Sequence, residues 1–221
     1  MAVEETGPVW CVVVSAGSGT RFGGPKHLAD LGGRTVLQRS VDVARRSADG
    51  VVVVLAPGST VEVEGADRVV DGGDSRSASV AHGLAAVPAE AEVVLVHDAA
   101  RPLASAALFE RVVAAVRAGA DAAVPAVAVV DTIRDVVGGT VDRDRLRAVQ
   151  TPQGFAAAAL RAVHERGGEA TDDATLVEAA GGTVVLVEGE RTNLKITEPA
   201  DLVVAAALFD RVVATGGDSS S

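Results

Sequence analysis

Val9-Trp10-Cys11-Val12-Val13-Val14-Ser15-Ala16-Gly17-Ser18-Gly19-Thr20-Arg21-Phe22-Gly23-Gly24-Pro25-Lys26 begins as an uninterrupted apolar run and breaks into a turn holding four glycines. Apolar residues at consecutive rather than alternate positions predict a strand buried on both faces, and hence a mostly parallel sheet covered by helices. Further valine-rich runs at 51–55, 93–96, 122–130 and 184–187 read as strands of the same kind. Between several of them, residues 35–48, 77–87, 105–118, 155–166 and 199–213 carry apolar side chains at spacings of three and four, the periodicity of amphipathic helices. The expected fold class is α/β, doubly wound, in one domain spanning residues 1–221. Ligands of such sheets bind beyond the carboxyl ends of the strands, so the residues just after each strand are the place to look for chemistry.

Residues 131–149 break the pattern. They are short in apolar content and charged, and Gly138-Gly139 separates Ile133-Arg134-Asp135-Val136-Val137 from Val141-Asp142-Arg143, which predicts a β-hairpin arm turning at the glycine pair. An arm with so little core of its own is suited to being pinned by a partner chain. Residues 1–7 and about 215–221 read as disordered ends.

With 30 acidic against 20 basic side chains the formal charge is −10, which disfavours a nonspecific grip on nucleic acid or on an anionic membrane. There is no tyrosine, one tryptophan and four phenylalanines, so platforms for stacking bases are scarce. No apolar run approaches the roughly 18 residues of a membrane span, and no basic leader precedes the first one. The lone cysteine, Cys11, falls inside the first strand and has no internal partner, which fits a reducing cytoplasm.

Only two of the basic residues are lysines, Lys26 and Lys195, although arginine serves elsewhere for surface charge. A compact ammonium differs in use from a planar guanidinium, and both lysines lie where phosphate chemistry would employ one. The first loop lacks the spacing of a dinucleotide fingerprint, and it is not a Walker loop because His27 stands where Ser or Thr would hold magnesium. What remains is a turn of exposed N–H groups with two cations, Arg21 and Lys26, aimed back over it, able to cradle a triphosphate.

A second cluster, Asp71-Gly72-Gly73-Asp74-Ser75-Arg76-Ser77-Ala78-Ser79-Val80, enters a helix. Asp74 or Ser75 would cap it, while the glycines would let a flat base approach, with Asp74 and Ser79 facing its polar edges. The third, Val96-His97-Asp98-Ala99-Ala100-Arg101-Pro102, places a carboxylate directly after a strand. Asp98 could ligate magnesium, and Arg101 reaches a second anion. His97 reads as a structural histidine, since one carboxylate with one histidine makes no zinc site. Arg143 on the arm, Thr151-Pro152-Gln153, Thr171-Asp172-Asp173 at a helix start and Lys195 complete the set.

Taken together, Ala16-Gly17-Ser18-Gly19 with Arg21, Pro25-Lys26, Gly72-Gly73-Asp74 with Arg76 and Ser79-Val80, Val96 to Pro102, Thr151-Pro152-Gln153, Thr171-Asp172 and Asn193-Leu194-Lys195-Ile196-Thr197 resemble, in order, the motifs of the 2-C-methyl-D-erythritol 4-phosphate cytidylyltransferase family. The resemblance spans about residues 9–209. It implies a Rossmann-like nucleotidyltransferase fold, CTP as substrate and a magnesium ion. Ala16, Gly17, Arg21 and Lys26 would hold the triphosphate, Gly73, Asp74 and Ser79 would recognise cytidine, and Asp98 would contact the metal. Arg101, Thr132, Arg143, Thr171 and Lys195 would surround the polyol phosphate. The family is a homodimer, so Thr132 and Arg143 would reach in from the arm of the other subunit.

This sequence departs from the family's pattern at Ser15, at His27 and in a short segment between Arg21 and Lys26. The reaction implied is transfer of CMP from CTP to the acceptor phosphate with release of pyrophosphate. A ribitol 5-phosphate cytidylyltransferase is the neighbouring reading, and a nucleotide-binding regulatory module without catalysis is the rival of another class. A glycosyltransferase is disfavoured because no Asp-x-Asp pair ends the strand at Asp98.

Overall fold

The valine-dense runs are the strands of one central sheet in the computed structural model of the chain, which describes residues 6–17, 22–167, 170 and 172–216. In chain order these residues form β1 (Val9–Ser15), β2 (Asp30–Leu31), β3 (Arg34–Thr35), α1 (Val36–Ser47), β4 (Gly50–Leu55), β5 (Arg68–Asp71), α2 (Arg76–Ala85), β6 (Val93–Asp98), α3 (Ala106–Arg117) and β7 (Ala122–Ala128). There follow β8 (Ile133–Asp135), β9 (Gly139–Val141), β10 (Arg147–Val149), β11 (Gln153–Ala156), α4 (Ala157–Glu165), α5 (Asp173–Ala179), β12 (Val184–Glu188) and α6 (Pro199–Gly216).

Parallel pairing joins β5, β4, β1 and β6 in that order, and β12 to β7, while β11 bridges β6 and β7 antiparallel to both. β10 lies beside the far end of β7, also antiparallel. The expected α/β class with a mostly parallel sheet is therefore borne out. Alternate residues of each strand enter different cores. Cys11, Val13, Val51 and Val53 face α1 and α3, whereas Val12, Val52 and Val54 face α2, α4 and α5. Burial on both sides is why these strands are valine at nearly every position.

Four helix starts are closed by side chains, as their sequences suggest. Thr35, Ser75, Ser105 and Asp172 each accept the N–H of the third residue onward, at 2.9–3.1 Å. Ser75, not Asp74, is the cap at the second cluster. Gly83 in α2 sits where a Cβ would lie 2.4 Å from Val12 Cγ1, so its missing side chain lets the helix press against the sheet.

Several details differ from the expectations, among them β5, a strand the sequence does not announce. The helix expected over 155–166 starts at Ala157, because Phe155, fully buried, belongs to the short strand that fills the gap between β6 and β7. The strand expected over 122–130 stops at Ala128. The arm turns one pair earlier than its glycines suggest: Asp135 Oδ1 accepts the N–H groups of Val137 at 2.7 Å and Gly138 at 2.9 Å, leaving Val136-Val137-Gly138 as the loop. Gly139, at φ +94°, then takes the left-handed position that a three-residue hairpin loop demands. α6 extends through Gly216, and residues 1–5 and 217–221 of the expected tails lie outside the described residues.

Candidate active site

β1 lies between β6 and β4, so the chain leaves it in one direction and returns on its other side, and a crevice opens beyond the carboxyl ends of β1 and β6. A cleft of about 440 Å³ occupies that place, a size suited to a nucleotide. Its walls come from the turn after β1, the entry to α2, the end of β6, and two segments carrying the two lysines. Lys26 opens a short 3-10 turn, and its Nζ donates to Ile196 O at 3.0 Å across 170 residues of sequence. Ile196 N in turn donates to Ala100 O at 2.8 Å, which ties the Lys195 segment to the loop after β6. Both lysines therefore meet at one cleft.

Lys195 Nζ lies 2.6 Å from Asp98 Oδ2, and Arg76 Nε lies 4.0 Å from Asp98 Oδ1. Burial alone would raise the Asp98 carboxyl, but the charge and hydrogen bond of Lys195, with Arg76 and Arg101, outweigh it and hold it below the usual carboxylate range. An ionised oxygen donor thus faces the cleft. Among the described residues no group of three His, Cys, Asp or Glu side chains could cage a metal. A single carboxylate suits an ion bound mainly by substrate phosphates and water, as magnesium commonly is, and does not suit zinc.

His97 is fully buried, and burial lowers its pKa to about 4, so it is neutral near pH 7. Its Nε2 is 3.2 Å from Arg101 O, which can only accept, and so the proton sits on Nε2. Nδ1 then accepts from the Thr151 hydroxyl at 3.1 Å, and the Thr151 oxygen accepts the Asp98 N–H at 3.0 Å. The histidine is structural, as expected, and it holds the backbone that carries Asp98.

Ala16, Gly17, Lys26, Gly73, Asp74, Ser79, Asp98 and Lys195 all line the cleft. Ser79 Oγ accepts the Gly73 N–H at 3.1 Å, and a Cβ on Gly72 would stand 2.5 Å from Ala16 Cβ. The glycine pair thus lets the α2 entry close against the turn after β1. Arg101 is beside the cleft but turns toward the arm root, its guanidinium donating to Asn193 O at 2.7 Å and Val149 O at 3.3 Å. Thr132 and Arg143 are exposed on the arm and not among the cleft's lining residues, with Arg143 Nη1 donating to Val130 O at 2.6 Å. Arg21 and Thr171 lie outside the described residues.

Sequence reading gives no role to two ionisable residues of this cleft, Arg76 and His27. Arg76 is held 2.8 Å from the buried Asp173 carboxylate, whose other oxygen lies 3.0 Å from His164 Nε2. A cation in the first turn of a helix opposes the helix dipole, and that misplacement was the available signal for Arg76. His27 adjoins Lys26, and burial together with that ammonium lowers its pKa.

The family model described as IspD, 2-C-methyl-D-erythritol 4-phosphate cytidylyltransferase, matches residues 9–211. The chain is 48% identical to the enzyme of that name from Rhodococcus opacus, over 94% of this chain and 97% of the relative. It is 46% identical to the one from Thermus thermophilus, over 89% and 95%. The crystal structure of a Thermus thermophilus enzyme of this name superposes with a TM-score of 0.79 at 43% identity, covering 90% of this chain and 98% of that one. With the cleft, the two lysines and the ordered motifs in agreement, the chain belongs to the 2-C-methyl-D-erythritol 4-phosphate cytidylyltransferase family.

Proposed function

We infer that this enzyme transfers CMP from CTP to 2-C-methyl-D-erythritol 4-phosphate, giving 4-diphosphocytidyl-2-C-methyl-D-erythritol and pyrophosphate in the synthesis of isoprenoid precursors. The observation that carries this reading is the convergence of both lysines of the chain on one cleft at the sheet's switch point, beside an ionised Asp98. An acceptor phosphate oxygen attacks the α-phosphorus in line. The new P–O bond forms as the bond from the α-phosphorus to the bridging oxygen breaks, and the electron pair leaves with pyrophosphate. The nucleophile is already anionic, so no general base is required, and the protein's work is alignment and charge neutralisation.

Lys26 and Arg21 serve the triphosphate with the backbone of Ala16 and Gly17, while Gly73, Asp74 and Ser79 bound the cytidine. Lys195 neutralises charge between the two substrates. Asp98 would hold a magnesium ion, which when bound offsets charge on the phosphate oxygens. Arg101 and Thr171 are assigned to the acceptor phosphate, and Thr132 and Arg143 come to it from the arm of a second subunit in a homodimer. The exposed Val136 and Val137 at the arm tip, 99% and 94% accessible, favour such a docked arm. No described helix is long and apolar enough to cross a membrane, and with Cys11 buried and unpaired we assign the reaction to the cytoplasm.

The test is pyrophosphate release from CTP and magnesium with 2-C-methyl-D-erythritol 4-phosphate or ribitol 5-phosphate as the acceptor. Strong preference for the first is expected. Preference for ribitol 5-phosphate would move the enzyme to polyol-phosphate activation.

A further inference from the structure

The Lys195 segment has no regular secondary structure to hold it. Residues 189–197 form turns and irregular backbone, so their polar groups must find partners elsewhere. Four of these contacts are made by one side chain, Gln150, which is 6% exposed. Its Nε2 donates to Glu190 O at 2.7 Å and to Asn193 O at 3.4 Å. Its Oε1 accepts from Glu190 N at 3.0 Å and from Asn193 Nδ2 at 3.4 Å. Both donors and both acceptor positions of the amide are used, which also fixes its orientation.

The clasp is connected on both sides. Asn193, fully buried, donates from Nδ2 to Thr151 O at 2.9 Å, and its own carbonyl accepts from Arg101. Glu190 is anchored to the start of α3, where its carboxylate accepts from Ser105 N at 3.2 Å and pairs with Arg111 at 3.0 Å. Gln150 itself follows β10 directly, and its N–H donates to Pro125 O at 2.7 Å. The root of the arm and the loop bearing Lys195 are thereby joined through one amide.

We propose that Gln150 is a positioning residue: its saturated amide sets the 190–195 turn, and through it Lys195 and Arg101, in register with the root of the arm. The side chain does not line the cleft and acts only through the residues it holds. The same geometry explains Gly189, where a Cβ would stand 2.7 Å from Gln150 Oε1. The proposal rests on the cytidylyltransferase reading and on the role given there to Lys195.

Gln150→Met keeps the length of the side chain and removes all four hydrogen bonds. Steady-state kinetics with each substrate varied, and hydrogen exchange followed by mass spectrometry, read the result. The expected outcome is a fall of about tenfold or more in kcat/KM for the acceptor, with KM for CTP changed by less than about threefold. Exchange should quicken in residues 190–196 and stay slow in 93–98. Gly189→Ala, which crowds the same amide from the other side, should give the same split, and it decides the matter if Gln150→Met does not fold. Unaltered kinetics in either folded variant, or an equal loss toward both substrates with exchange quickened through β6, would overturn the proposal. Wild-type enzyme inactive with the acceptor would instead refute the functional reading on which it stands.

Discussion

At the scale of single residues, the site is a problem of charge placed against burial. Lys26 and Lys195 are held by Ile196 O and by Asp98, so both ammonium groups are oriented before a substrate arrives. Preorganised charge of this kind contributes most where it meets the transition state, and Lys26→Ala should lower turnover by on the order of 10²-fold. Near-normal turnover in a folded Lys26→Ala enzyme would remove that role. His97 makes a separate prediction about pH. Its folded pKa of about 4 lies below the reference 6.5, so the unfolded chain binds the extra proton first and stability falls as pH drops below about 6.5. Over that window the loss is on the order of 3 kcal/mol by pH 4. Asp98, lowered from 3.8, contributes stability that is lost only at still lower pH, whereas His27 acts in the same direction as His97. Urea denaturation should show a shallower decline between pH 6.5 and 4.5 in His97→Gln than in the wild type. An unchanged slope would mean that His97 is not the group responsible.

At the scale of elements, what was legible is what is buried on both faces. β1, β4 and β6 announce themselves because every residue meets a core, and the helices between them because one face does. β5 passed unread since Arg68-Val69-Val70-Asp71 is a short edge strand, mostly exposed and flanked by charges. The second half of β11 reads as helix because the apolar run Phe155-Ala156-Ala157-Ala158-Ala159-Leu160 passes into α4 without a break, and nothing local distinguishes four residues wedged antiparallel between two strands. The arm's turn departs from its glycine pair because the Asp135 carboxylate makes the corner and Gly139 takes the left-handed exit. The same limit governs the site. Asp98, Lys26 and Lys195 could be named with roles from motifs, but the part played by Arg76, a motif residue held by a buried Asp173, and that of Gln150, clasping a loop 40 residues away, depend on contacts that only the folded chain makes.

At the scale of the whole molecule, a chain of net charge −10 must attract two polyanions, and the local field of the cleft opposes the mean one, because Lys26, Arg76 and Lys195 line it against two carboxylates, Asp74 and Asp98. The arm raises the question of who completes that cleft, since Thr132 and Arg143 stand away from it within one chain. If Arg143 acts in trans, mixing inactive Lys26→Ala and Arg143→Ala proteins should restore activity, because each heterodimer regains one intact site. No recovery after verified subunit exchange would count against that arrangement. The central claim, that CMP passes from CTP to a polyol phosphate in this cleft, is tested most directly by following the reaction by phosphorus NMR. With CTP, magnesium and 2-C-methyl-D-erythritol 4-phosphate, the enzyme should form one cytidine diphosphate ester and one pyrophosphate for each CTP consumed, and nothing when the acceptor is omitted. CTP left unchanged, or hydrolysed to CMP without the diphosphate ester, would contradict it.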